Sequence, residues 1–137
     1  MSFLRIDGST RKSLPSKIAK KASTAMNVGD VVIATSGQVD VAVASSVLLL
    51  GICTTKVAST DSDYASTTAV AVEQIDPNAV YLADVGTGSA AVTDIGAQFD
   101  LKDKDEVDVT GTTYKQVKIV GVISATKVLV TFNPNLL

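Results

Sequence analysis

Histidine and tryptophan are absent from this 137-residue chain, and cysteine occurs once, at Cys53. Without histidine the commonest general base is gone, and with it the Ser-His and Cys-His nucleophile pairs and most zinc sites. One cysteine permits neither an intrachain disulfide nor a thiolate cluster, which fits a reducing compartment. Cys53 stands between Ile52 and Thr54 in a strand-like stretch, so an inert buried thiol is expected there instead of a nucleophile. Long apolar runs are missing too. The longest, residues 47–52, is far shorter than the ~20 residues of a membrane helix, and residues 1–13 contain no apolar stretch of the kind a secretory signal carries. The expectation is a soluble protein made inside the cell, with no membrane partner.

What is abundant is β-branched: valine and threonine together supply 35 residues, and good helix formers are sparse outside residues 14–26. With three Phe and three Tyr, a core of Val, Ile, Leu and Ala must pack in thin layers. The stretch that organises the chain is residues 27–52, where Gly29-Asp30 and Ser36-Gly37 mark turns and Val39, Val41 and Val43 alternate with Asp40, Ala42 and Ala44. That reads as a hairpin opening the folded body, with the valines and residues 48–50 as core candidates. The pattern continues through strands at 52–58, 66–75 and 79–84, a loop at 59–66, a turn at Asp76-Pro77-Asn78 and a flexible connector at residues 86–89. Residues 92–101 fit either a short helical turn or an irregular loop. A hairpin over residues 107–119 and a last strand over 127–132 complete the expectation: an all-β fold, a small β-barrel or β-sandwich of about eight short strands, with residues 27–137 as its body.

Residues 1–26 read as an extended basic N-terminal arm, with Pro15 stopping any early helix and Ser16 able to cap a short one over residues 17–26. Up to residue 21 the chain carries six bases against Asp7 alone, whereas residues 22–137 carry six bases and thirteen acids. A basic arm on an acidic body suits a protein surface better than nucleic acid, because only Phe3 interleaves the bases as an aromatic. Phe3, Leu4 and Ile6 form an apolar cluster that a solvated tail does not need, so they either fold back on the body or insert into a neighbouring chain.

Motifs for chemistry are weak. Gly86-Thr87-Gly88 has Ala91 where a dinucleotide fingerprint has its third glycine. An EF-hand loop starting at Asp103 would place Asp108 where glycine is required and Tyr114 where glutamate is required. Asp61 and Asp63 offer no better spacing. Paired carboxylates of the glycosidase kind meet only in three dimensions, so spacing does not address them. No catalytic residue, cofactor or metal is assigned from the residues.

The order Met26-Asn27-Val28-Gly29-Asp30-Val31-Val32, the alternation over residues 39–44, Leu50-Gly51-Ile52, and the later run Val92-Thr93-Asp94-Ile95-Gly96-Ala97-Gln98-Phe99-Asp100-Leu101 resemble the capsid decoration (head-stabilisation, cement) proteins of tailed bacteriophages. The resemblance spans roughly residues 24–132 as a style of sequence. It implies a non-enzymatic homo-oligomer, trimer favoured, made in the host cytoplasm and located on the capsid surface of the virion. There it would bridge neighbouring major capsid proteins and stabilise the lattice. The contact residues expected on this reading are Phe3, Leu4, Arg5, Ile6, Arg11 and Lys12. A phage head-tail adaptor or tail component, and a non-catalytic ligand-binding β module, are the alternatives.

Overall fold

The computed structural model describes residues 3–6 and 17–137. The described chain is all-β, with 42% of residues in strands and no helix of seven residues or more. The first seven strands are β1 (Leu4–Arg5), β2 (Ile18–Ala19), β3 (Val31–Thr35), β4 (Gln38–Val41), β5 (Gly51–Cys53), β6 (Ala69–Val70) and β7 (Val72–Glu73). The other five are β8 (Tyr81–Thr87), β9 (Gln98–Leu101), β10 (Glu106–Asp108), β11 (Val117–Ser124) and β12 (Lys127–Phe132). Short 3-10 turns at Val92–Asp94 and Pro134–Leu136 complete the elements.

The last five strands close on themselves in the order β8, β10, β9, β11, β12 and back to β8, a five-stranded barrel without free edges. Its interior follows the period-2 rule: Tyr81, Ala83 and Val85 on β8, Val117 and Ile119 on β11, and Val128, Val130 and Phe132 on β12 all point inward and are buried. β8 pairs with β10 in parallel through residues 84–87, while β1 pairs antiparallel with Leu82 and Tyr81. The arm strand therefore fills the length of β8 that β10 leaves uncovered.

A second sheet, in the order β4, β3, β5, β7, leans on the barrel, and the β2–β6 ribbon covers its far side. Both faces of this sheet are buried. Val31 and Ile52 face the barrel core, whereas their sequence neighbours Val32 and Cys53 face a smaller core with Met26, Val39, Val57, Val70 and Val72. Double burial explains why these strands read as continuous apolar runs. The β3–β4 turn is the expected Ser36-Gly37, with both residues at positive φ (52° and 77°), the twist that a two-residue hairpin loop requires.

Several elements depart from the sequence reading. Among the described residues twelve short strands stand where about eight were expected, because β1 and β2 form in the arm, β9 forms in the 92–101 stretch, and the 66–75 strand breaks into β6 and β7; the 52–58 strand ends at Cys53. β4 stops at Val41, so Val43 is exposed, and Leu48 is 69% exposed although its neighbour Leu49 is buried. Gly86 and Thr87, expected as connector, extend β8. No hairpin forms over residues 107–119. β9 lies between β10 and β11 and pairs with both, and the intervening loop wraps the buried Asp100 carboxylate, which accepts the N–H groups of Thr113, Tyr114 and Lys115.

Residues 17–26, read as the end of an arm, are built into the second sheet region. Ile18 and Ala19 pair with Val70 and Ala69, and Met26 is fully buried. The short helix considered for this stretch is replaced by strand. Lys20 is fully buried as well, its ammonium donating to the carbonyls of Lys21, Tyr64 and Ser66 at 3.2, 2.7 and 2.9 Å. Three carbonyl acceptors compensate its desolvation, and they hold the surface loop that the sequence places at 59–66.

Candidate functional site

Four of the six residues expected to make contacts lie in β1 and its flanks. Arg11 and Lys12 lie outside the described residues. A strand sends alternate side chains to opposite faces, and β1 does so sharply. Phe3 and Arg5 are buried, while Leu4 and Ile6 are 48% and 47% exposed. Phe3 is thus a member of the barrel core, and Arg5 reaches Asp76 at 3.0 Å. Asp76 belongs to the turn before β8, where its N–H donates to the Tyr81 hydroxyl. Phe3 and Arg5 anchor the strand; Leu4 and Ile6 are what it presents.

The exposed pair is not isolated. Leu4 lies opposite Leu82 on β8, and Leu82 lies opposite Leu129 on β12. Leu82 and Leu129 are half-buried and outward-facing, since their neighbours Tyr81, Ala83, Val128 and Val130 fill the barrel. A row of three leucines therefore crosses three adjacent strands on the outside of the barrel, with Ile6 hydrogen-bonded to Val80 at one end. Cross-strand neighbours of this kind stand about 5 Å apart and form one continuous apolar surface. Sequence reasoning missed Leu82 and Leu129. The signal was in the same alternation that marked Val128, Val130 and Phe132 as aligned, because an inward set fixes an outward one.

Comparison with protein-family models, with curated proteins and with solved structures finds no match to this chain. Its own residues therefore carry the functional argument.

The groups capable of chemistry sit elsewhere. Cys53 is fully buried, its thiol donates to the Thr55 carbonyl at 3.0 Å, and burial pushes its pKa up, as an inert thiol requires. Asp103, Asp105 and Glu106 bring carboxylate oxygens within 4.8 Å of one another, a grouping unrelated to EF-hand spacing. Burial and the neighbouring Asp103 carboxyl push Asp105 up to about 6. Burial works to raise Asp103 as well, but hydrogen bonds from Asp105 outweigh it and hold Asp103 below the ordinary range. The Asp105 N–H donates to the Asp103 carboxylate at 3.1 Å, and the half-exposed Lys102 pairs with Glu106 at 3.5 Å.

Asp30 is also fully buried, with one oxygen accepting the Asn27 N–H and the other without a partner. Burial raises its pKa. It forms the tight turn at residues 27–30, and its backbone carbonyl receives the Cys53 N–H. Val31 beside it donates to the Lys104 carbonyl, so the charged turn of residues 102–106 is tied to the edge of β3.

Proposed function

We propose that this chain is a structural virion protein that binds the outer surface of a phage capsid and stabilises the lattice by bridging neighbouring major capsid proteins. The observation that carries the reading is the outward leucine row of Leu4, Leu82 and Leu129 with Ile6 beside it, on a strand whose alternate residues Phe3 and Arg5 are locked into the body. A cement protein stabilises a lattice by contact alone. It needs a rigid apolar patch more than it needs a catalytic cleft, and repetition over many symmetry-related copies turns a modest contact into avidity. The sequence resemblance to decoration proteins supports the same role. In this reading Leu4 and Ile6 meet the shell, Arg11 and Lys12 add charge contacts, and Phe3 and Arg5 position the strand.

The test is co-sedimentation with expanded capsids of the parent phage. Deleting the arm outright would mix folding with binding, because Phe3 belongs to the barrel core. The exposed pair is the cleaner probe. An L4S/I6S variant is expected to unfold at the wild-type midpoint yet lose capsid occupancy. Occupancy equal to wild type would overturn the proposal, and so would a wild-type protein that never co-sediments.

A further inference from the structure

The body carries an acid excess, yet one open cleft of about 360 Å³ on the barrel exterior is lined by two lysines and no carboxylate: Gly96, Gln98, Thr112, Lys115 and Lys118. Its floor is the outward face of β9 and β11. Gln98 and Lys118 are direct cross-strand partners there, because their neighbours Phe99 and Val117 point into the barrel. Its walls are the turn before β9 and the loop before β11. On the first, Gly96 has open space where a Cβ would stand.

The second wall is held rigidly. Lys115 sits at φ 53°, a conformation that costs a non-glycine residue energy and that only its surroundings maintain. Asp100 accepts its N–H at 2.7 Å, and the Asn133 side chain donates to its carbonyl at 3.2 Å. The backbone is pinned on both sides, and Lys115 is one of the residues that line the cleft. Among the described residues, Lys115 and Lys118 have no carboxylate partner, a state they share with Lys17, Lys56 and Lys104; what sets them apart is that both line one cleft. Of the two acids against this wall, Asp100 accepts three backbone amides and Asp108 accepts the N–H and the hydroxyl of Thr110.

Two unneutralised ammonium groups, an amide and a hydroxyl make a donor-rich set with a charge of two. That composition suits a doubly charged tetrahedral oxyanion, which lysine binds as a point charge. The cleft exceeds the size of such an anion alone and falls at the lower end of the range of small-molecule sites. We infer that this cleft binds a phosphate monoester carried on a sugar-sized group, the phosphate between Lys115 and Lys118 and the attached group over Gln98 and Gly96. The inference stands apart from the lattice reading, because the cleft shares no residue with the leucine row.

Glucose 6-phosphate, glucose 6-sulfate, inorganic phosphate and glucose, titrated into the full chain while amide signals are followed by NMR, test it. Glucose 6-phosphate is expected to shift Gly96, Gln98, Thr112, Lys115 and Lys118 saturably, more tightly than inorganic phosphate, with glucose inert. The singly charged sulfate ester is expected to bind more weakly than the phosphate ester. K115Q and K118Q should each weaken binding roughly tenfold, the worth of one charged hydrogen bond, while K127Q should not. Both lysines are exposed, so the variants should keep the wild-type unfolding midpoint; K118Q, away from the strained backbone, is the safer of the two. Shifts that fail to saturate, that survive both substitutions, or that glucose reproduces would overturn the inference.

Discussion

The Phe3 ring lies 5.2 Å from the ring of Phe132, which in turn meets Tyr81 edge-on at 5.1 Å. Residues separated by nearly the whole chain thus share one aromatic cluster at the end of the barrel, and the N-terminal strand becomes part of the core. Replacing Phe3 by alanine should cost about 3 kcal/mol, in the range of buried Phe truncations. Urea unfolding of F3A against wild type measures it. F3L should recover most of the loss, and a wild-type midpoint for F3A would show that the strand is not held by this ring.

Gly51 allows β5 and β7 to approach closely. A Cβ there would run into the Glu73 carbonyl and the Val72 side chain, and the first of these is backbone that cannot swing aside. G51A should therefore be among the most destabilising single-methyl additions in the chain, with a cost of about 2 kcal/mol or more from overpacking. Calorimetry would register it as a lowered Tm. The conservative character of the substitution is what makes the outcome diagnostic.

Lys20 holds a loop with no carboxylate in reach of its hydrogen bonds. In K20M the carbonyls of Tyr64 and Ser66 lose a charged donor at 2.7 and 2.9 Å. Losing hydrogen bonds to a charged group costs about 2 kcal/mol, less whatever the methionine regains by packing. Hydrogen exchange should quicken at residues 61–66 and stay unchanged in the barrel. Uniform loss of protection would instead mean that the loop and barrel unfold together.

The pair Asp103 and Asp105 predicts a carboxyl titration near pH 6. Asp105 holds its proton in the native state after the unfolded chain, at the ordinary 3.8, has released it. Its contribution to stability is complete below pH 3.8 and is lost as pH rises through about 6. Asp103, held below 3.8, contributes in the opposite sense: its stabilisation is present above 3.8 and is lost as pH falls through its own lower value. Side-chain carboxyl NMR would follow both. In D103N the Asp105 step should move down without reaching 3.8, because burial is the larger cause of its displacement.

Local physics was legible in the chain. Valine and threonine excess required strands, Ser36-Gly37 required a two-residue hairpin turn, and the alternation at residues 127–132 required one inward and one outward face. The absence of histidine and the lone buried Cys53 could likewise be read from composition and context. The partners could not. Nothing local tells β9 to lie between β10 and β11, since that choice belongs to the Asp100 carboxylate collecting amides up to fifteen residues away. Nor does local pattern send Phe3 to Phe132 instead of outward, or join Leu4, Leu82 and Leu129 into a row. The sequence by itself determined strand character, turn positions and the alternation of faces along a strand, because these follow from each residue's own stereochemistry and hydration. Tertiary structure alone decided which surfaces those strands build, because pairing across long separations is set by barrel closure and by where buried polar groups find their partners.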